Sequence, residues 1–212
     1  MSIGLSECVR DFEIHRALLP LEAQAEVVGD IRRIIQSAPL VRPITGWGKP
    51  MTVRMTSAGV CGWVIDRGRY RYSAVHPETG NPWPAIPDTI LHIWRNHSNW
   101  SGDPHCCLIN WYDALARMGL HQDKDEDAFQ APVLSISLGD PARFRMGGTN
   151  RNDPTVSTIL NSGDVVVMGG PARLAFHGVD KILTDGPENP LTGRGRINLT
   201  LRVVSDTVLA QA

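Results

Sequence analysis

The tripeptide His121-Gln122-Asp123 carries two metal-ligating side chains at i and i+2. In extended backbone those two positions share a face, so an imidazole and a carboxylate would stand side by side. His177, after the run Arg173-Leu174-Ala175-Phe176, is the downstream candidate for a third ligand. Two histidines and one carboxylate on one side of a metal leave positions open on the other, the facial arrangement of non-haem Fe(II) oxygenases. Zinc hydrolases also use three protein ligands, so these residues leave the metal open. The other histidines, His15, His76, His92, His97 and His105, show no comparable pairing and default to surface or satisfied polar roles.

A triad of this kind needs a cosubstrate site, and the stretch Arg196-Ile197-Asn198-Leu199-Thr200-Leu201-Arg202 offers one. Strict alternation puts Arg196, Asn198, Thr200 and Arg202 on one face and Ile197, Leu199 and Leu201 on the other. Two cations inside a β fold require anionic partners. A dicarboxylate could satisfy both, because guanidinium forks match carboxylates in a bidentate way. Six residues of strand span roughly 20 Å, so the two side chains would have to lean inward. Without a metal nearby, the same face reads as a solvated surface. Asn110 and Tyr112, sharing one face at the end of the apolar run Cys106–Ile109, could donate further hydrogen bonds to carboxylate oxygens. Ordinary packing at a strand end is the alternative for them.

The elements that must position these residues are mostly strands. Pro20 to Ser37 places Leu21, Val28, Ile31, Ile34 and Ile35 at near-helical spacing, with acids early and Arg32 and Arg33 late, and predicts one amphipathic helix ending before Pro39. A second short helix is predicted from Pro87-Asp88 to about Asn96, with Ile90, Leu91 and Trp94 inward. Strand patterns fall at 52–56, 61–65, 69–72, 107–112, 132–138, 142–146, 164–168, 173–177 and 196–204, with a loop over Thr184–Gly195. That count with two early helices predicts a mostly β, double-sheet fold such as a jelly roll. The chain is read as a single domain over residues 1–212, with a hairpin lid within about 45–80.

Composition is consistent with this. The chain has 212 residues, 42% of them hydrophobic and 20% charged, which suits a globular domain with a substantial core. Twenty Gly and fifteen Pro favour a turn-rich fold over a helical bundle. A net charge of -1 excludes a protein that coats nucleic acid through bulk charge, so any such contact must be local. No apolar run reaches the roughly 20 residues of a membrane span, and Met1–Arg10 lacks the pattern of a secretory signal. Cys8, Cys61, Cys106 and Cys107 form no CxxC pair and read as reduced thiols of a cytoplasmic protein.

With these residues in hand, the sequence resembles the AlkB family of Fe(II)- and 2-oxoglutarate-dependent nucleic-acid demethylases. The matching residues are Trp63, Tyr70 and Tyr72, the run Asn81–Pro87, Leu108-Ile109-Asn110 with Tyr112, and His121-Gln122-Asp123-Lys124-Asp125-Glu126. They continue through Ser135–Gly139, Arg151-Asn152-Asp153-Pro154, Gly163–Val167, His177-Gly178 and Arg196 with Asn198-Leu199-Thr200. The likeness runs in order from about residue 15 onward. It implies a double-stranded β-helix (jelly roll) with flanking N-terminal helices. It further implies Fe(II) held by His121, Asp123 and His177, and 2-oxoglutarate held by Asn110, Tyr112, Arg196, Asn198 and Arg202, with Arg196 toward the far carboxylate. O2 is the third reactant. The implied reaction converts 2-oxoglutarate to succinate and CO2 and hydroxylates an N-methyl group of a base such as 1-methyladenine or 3-methylcytosine, releasing formaldehyde.

The substrate side follows from the same reading. A paired base hides its Watson–Crick edge, so it must be flipped or taken from a single strand. Trp63 and His177 could supply stacking faces for it. Asp125, at i+2 from Asp123, would face the same cavity if the strand continued, and would favour a cationic methylated ring; a solvated acid in a charge run is the alternative. Arg67, Arg69 and Arg71 would point one way along the Asp66–Tyr72 segment to track phosphates, with Tyr70 and Tyr72 the other way, unless this is simply an exposed hairpin. Arg151 is a further phosphate or substrate-edge candidate by resemblance. Met168, Arg143 and Met146 depart from the family pattern and bear on substrate range. The expected partner is alkylated DNA, single- or double-stranded, with RNA left open, and the protein is expected to act as a monomer. The competing readings are a 2-oxoglutarate hydroxylase of a small molecule or protein side chain, a zinc hydrolase, and a non-enzymatic jelly-roll binding module.

Overall fold

A computed structural model describes residues 5–66 and 68–212. Arg67, one of the three arginines expected to track phosphates, lies outside the described residues, as does the start of the Met1–Arg10 segment. Strands β1 (Ser6–Val9) and β2 (Phe12–His15) precede helix α1 (Leu21–Ser37). Then come β3 (Arg54–Gly59), β4 (Gly62–Asp66), β5 (Arg69–Ser73), helix α2 (Asp88–His97), β6 (Cys106–Tyr112) and β7 (Met118–His121). The chain continues through β8 (Val133–Gly139), β9 (Ala142–Met146), β10 (Val156–Leu160), β11 (Val165–Met168), β12 (His177–Ile182), β13 (Arg196–Arg202) and a last helical turn, α3 (Asp206–Leu209).

Among the described residues these strands form an antiparallel seven-stranded sheet, β1-β2-β11-β8-β13-β6-β3, facing a four-stranded sheet, β10-β9-β12-β7; β4 and β5 pair as a separate hairpin. The architecture is the double-sheet jelly roll with two early helices. Strand alternation sorts the core into two layers. Ile197, Leu199 and Leu201 of β13, with Cys107, Ile109, Leu134, Ile136, Leu138, Val165 and Val167, pack under Val27, Val28, Ile31 and Ile34 of α1 and Ile90 and Trp94 of α2. The opposite faces of the same strands turn Leu108, Tyr112, Val166 and Met168 toward Phe144, Met146 and Val179 of the smaller sheet. Each fully buried aliphatic side chain here stabilises by about 1.5–3 kcal/mol. With helices covering its back, the large sheet presents the Arg196–Arg202 polar face to the space between the sheets, and a solvated outer face is ruled out for it.

Two of the expected strands change and four further strands appear. The segment 173–177 is not a strand: Gly170-Pro171-Ala172 forms a 3-10 turn, Arg173 is helical, and pairing begins only at His177. The apolar run Leu174-Ala175-Phe176 looks strand-like, but its carbonyls serve other partners: Gln122 Nε2 donates to Leu174 O at 2.6 Å and the Gly147 amide to Phe176 O at 2.7 Å. The last strand ends at Arg202 rather than 204. Strands β1, β7 and β10 carry too little apolar alternation to be read from sequence, and exposed or half-buried residues dominate them; β2 alternates, burying Phe12 and Ile14, but is only four residues long. No helix among the described residues is long and apolar enough to cross a membrane.

Candidate metal centre and adjoining cavity

Antiparallel pairing of β7 with β12 sets His121 directly opposite His177, with ring centroids 4.5 Å apart. A Cβ at Gly178 would come within 2.7 Å of Met118 O, so glycine is what lets the two strands approach here. Asp123 lies two residues beyond the end of β7, off the ladder. Its loop is held instead by Arg173, whose Nη1 donates to Asp123 O at 2.5 Å, and by Gln122. His121 Nε2 stands 3.7 Å from Asp123 Oδ1, and His177 Nε2 stands 3.8 Å from Asp123 Oδ2. The three ligand atoms lie within 4.8 Å of one another.

The surroundings fix the protonation that a metal needs. His121 Nδ1 faces Gly119 O at 2.9 Å and His177 Nδ1 faces Ala175 O at 3.0 Å. A carbonyl only accepts, so each Nδ1 carries the proton and each Nε2 keeps its lone pair, the support that metal-ligating histidines usually have. Burial pushes the His177 imidazole down to about 4, which keeps it neutral. Burial alone would raise the Asp123 carboxyl, but Arg202, with His177 and His121, overrides it and holds the group well below the ordinary carboxylate range. Asp123 Oδ1 accepts from Arg202 Nη2 at 2.7 Å, while Oδ2 is buried with no partner.

These ligands line a cavity of about 400 Å³ together with Asn110, Tyr112, Arg196, Asn198, Thr200 and Arg202. The two arginines lean to different places. Arg202 sits between Asp123 and Glu126, 3.1 Å from the latter. Arg196, 1% exposed, donates to Ser137 Oγ at 2.6 Å and to Leu160 O at 3.4 Å, with no carboxylate in ion-pair range among the described residues. Burial draws its guanidinium down to about 10. Asn198 donates its amide to Ser135 Oγ and Ile136 O. Burial raises the Tyr112 hydroxyl to about 12, so it stays a neutral donor. Buried polar atoms without partners include Asp123 Oδ2, Asn110 Oδ1, Arg196 Nε and Arg202 Nε. All four belong to residues that line this one cavity, the pattern expected where a cation and an anion complete the site.

Glu126 was not singled out by sequence reasoning, although it is fully buried. It accepts from Tyr72 Oη at 2.7 Å and pairs with Arg202 and with Arg173 at 3.2 Å, tying the metal-side arginine to the β4–β5 hairpin. Glu126→Gln keeps the shape and removes the charge that divides Arg202 between two carboxylates. Fe(II) affinity, titrated anaerobically, is expected to fall about 10–100-fold, as when other supports of metal ligands are removed, with the circular dichroism of the fold unchanged. Parental affinity would strip Glu126 of this role.

At the mouth, Trp63 stacks on Tyr70 with centroids 5.2 Å apart and planes 17° from parallel. Its Nε1 donates to Asp125 Oδ2 at 2.9 Å. Asp125 lies in a turn, not on a continued strand, yet it lines the cavity with Lys124, Arg151, Trp63 and Tyr70. Arg71 and Tyr72 lie off the cavity lining. Arg71 pairs with Asp66 at 3.2 Å on the exposed hairpin, and Tyr72 is buried, its hydroxyl drawn inward by the buried Glu126 carboxylate at 2.7 Å. Of the three family departures, Met168 lines the cavity; Arg143 is exposed, and Met146 is buried in register with His177 but off the lining.

Comparison with known proteins gives one consistent answer. A profile of the 2OG-Fe(II) oxygenase superfamily matches residues 12–202. An alpha-ketoglutarate-dependent dioxygenase AlkB homolog of Caulobacter vibrioides is 50% identical over 194 residues, 92% of this chain and 88% of its own. The DNA N(6)-methyladenine demethylase ALKBH1C of Arabidopsis thaliana is 41% identical over 160 residues, 62% of this chain and 35% of its own. The solved structure of OsALKBH1 aligns with a TM-score of 0.79 at 29% identity, covering 94% of this chain and 100% of that one.

Proposed function

The chain belongs to the AlkB family of 2OG-Fe(II) oxygenases, which need Fe(II), 2-oxoglutarate and O2, and from that premise we propose that it demethylates N-alkylated bases of nucleic acid, 1-methyladenine and 3-methylcytosine in DNA among them. With metal, cosubstrate and O2 bound, the family's chemistry oxidises a substrate C–H bond while 2-oxoglutarate becomes succinate and CO2. An N-hydroxymethyl base then loses formaldehyde and is restored.

The roles of this chain's residues follow from where they sit. His121 and His177 offer Nε2, and Asp123 offers the unpartnered Oδ2, to the ferrous ion. Arg202, beside Asp123, serves the carboxylate near the metal. Arg196 takes the far carboxylate, and Asn110, Tyr112 and Asn198 line the slot between. The single observation that carries the nucleic-acid reading is the mouth of this cavity: a stacked Trp63–Tyr70 wall hydrogen-bonded to Asp125, opening onto the same space as the metal ligands. An aromatic wall accepts the face of a flipped base, and a carboxylate beside it favours a ring made cationic by methylation. Arg151 and Lys124 at the rim suit phosphate contacts, few enough to give salt-sensitive binding. The β4–β5 hairpin acts as the lid. The protein works as a cytoplasmic monomer.

The test is anaerobic loading with Fe(II) and 2-oxoglutarate, then O2 and an oligonucleotide carrying 1-methyladenine. Formaldehyde release matching succinate formation is expected. Succinate without formaldehyde, on methylated DNA and RNA alike, would move the assignment to a hydroxylase of another substrate. Asp125→Asn should lower kcat/KM for the cationic 1-methyladenine by about 10-fold, the scale of one charge-assisted hydrogen bond, and leave a neutral alkylated base unaffected. Equal loss on both substrates would show that Asp125 acts only by holding Trp63.

A further inference from the structure

Arg173 lies off the cavity lining, yet it is buried and every arm of its guanidinium is committed. Nε donates to Ala131 O at 2.8 Å, Nη1 to Asp123 O at 2.5 Å and Nη2 to Glu126 Oε2 at 3.2 Å. These three bonds gather to one point a loop, residues 122–132, that has no strand of its own. The turn that carries Arg173 leads directly into His177. There the Ala175 amide donates to Ala172 O, and Ala175 O in turn receives His177 Nδ1. Gln122 answers from the other side, donating to Leu174 O at 2.6 Å. The two stretches that supply the metal ligands are thus clasped reciprocally, a side chain of each on the main chain of the other. Charge is balanced behind the metal as well. Asp123 and Glu126 face Arg173 and Arg202, two acids and two cations, with side chains at most 7% exposed. Arg202 touches both carboxylates, whereas Arg173 pairs with Glu126 alone.

We infer that Arg173 is a positioning residue with two separable tasks. Its bonds to the Asp123 and Ala131 carbonyls hold the carboxylate ligand at the metal, and its charge on Glu126 leaves Arg202 free to receive a carboxylate of 2-oxoglutarate. The inference rests on the assignment of Arg202 to the cosubstrate given above. The first task needs a guanidinium, because a rigid fork of five N–H donors reaches two carbonyls and a carboxylate in three directions at once. A lysine ammonium is a compact point charge, able to neutralise Glu126 but not to hold the loop at all three places. The second task needs only the charge. Without it, two buried carboxylates would share the single cation Arg202, and opposite charges attract strongly where water is excluded. Arg202 would then be given up less readily to an incoming anion, and the negative charge left in excess would itself repel a dicarboxylate.

The test titrates Fe(II), and then 2-oxoglutarate into the iron-saturated protein, by calorimetry under argon for the parent, Arg173→Lys and Arg173→Met. For Arg173→Lys, Fe(II) affinity is expected to fall about 10–100-fold, as when other supports of metal ligands are removed, while 2-oxoglutarate affinity stays parental. For Arg173→Met, 2-oxoglutarate affinity should also fall, by about 10-fold, within the range of coupling between members of one buried network. A residue that merely stabilises the fold would not split the two affinities in this way. Parental Fe(II) affinity in Arg173→Lys, or equal loss of 2-oxoglutarate affinity in both variants, would overturn the inference. Should Arg173→Met not fold, adding Glu126→Gln removes the unpaired charge. The double variant should then bind 2-oxoglutarate like the parent, and weak binding there would count against the second task. A parent that binds Fe(II) but no 2-oxoglutarate would sink the assignment of Arg202, and the Fe(II) titration of Arg173→Lys would still decide the hold on Asp123.

Discussion

Asp123→Ala is expected to abolish oxidation of every substrate. Asp123 is the one anionic ligand of the three, and its Oδ2 is buried without a partner, so the substitution removes the charge that offsets the metal and leaves two neutral imidazoles. Residues that merely support metal ligands account for about 10–100-fold in affinity or activity, so the loss of a ligand should exceed that range. The fold should survive, because Arg202 retains Glu126 at 3.1 Å as a counterion. Succinate and formaldehyde should vanish together while the circular dichroism persists. A variant that still turns over 2-oxoglutarate at the parental rate would remove Asp123 from the metal centre and, with it, the oxygenase mechanism assigned to this cavity.

Arg196→Met should act in opposite directions on stability and on cosubstrate binding. A buried guanidinium without a carboxylate partner is costly, as its lowered affinity for its proton reflects. Replacing buried ionic groups by apolar ones of similar volume often stabilises by about 1–4 kcal/mol. The ligand-free variant should therefore melt higher, by about 2–4 °C for each kcal/mol gained in a chain of this size. Its KM for 2-oxoglutarate should rise about 30-fold or more, since losing one partner of a buried charged pair costs about 2–5 kcal/mol. Added 2-oxoglutarate should stabilise the parent, loaded with Fe(II) and kept free of O2, and not the variant. A lower melting temperature with unchanged KM would make Arg196 a purely structural residue.

The sequence makes the cavity wall legible where alternation is strict. In β13 the polar and apolar sets separate cleanly because each face meets a different layer, helices behind and the smaller sheet in front. Both helices are legible for the same reason: proline precedes each, and one stripe of each is buried. His177 is expected at the end of a strand that proves to begin there, since Leu174 and Ala175 before it lend their carbonyls to side chains rather than to a ladder. Asp125 reaches the cavity through a turn instead of the expected strand, so its location follows and its route does not. Glu126 was hidden by its setting. In the run Asp123–Asp127 it looks solvated, and only the convergence of Tyr72, Arg173 and Arg202, each from a distant segment, explains its burial. Such three-way contacts have no signature in local spacing. The same holds for Tyr72, whose hydroxyl turns inward to Glu126 although its neighbour Tyr70 faces the mouth.

The most direct measurement is anomalous diffraction at the iron edge from crystals grown without O2 in the presence of Fe(II) and 2-oxoglutarate. A single peak is expected within bonding distance of His121 Nε2, His177 Nε2 and Asp123 Oδ2, with density for the dicarboxylate reaching from that peak to the Arg196 guanidinium. Iron bound elsewhere, or a cosubstrate that leaves Arg196 without an anion, would contradict the assignment of this cavity as the oxygenase centre.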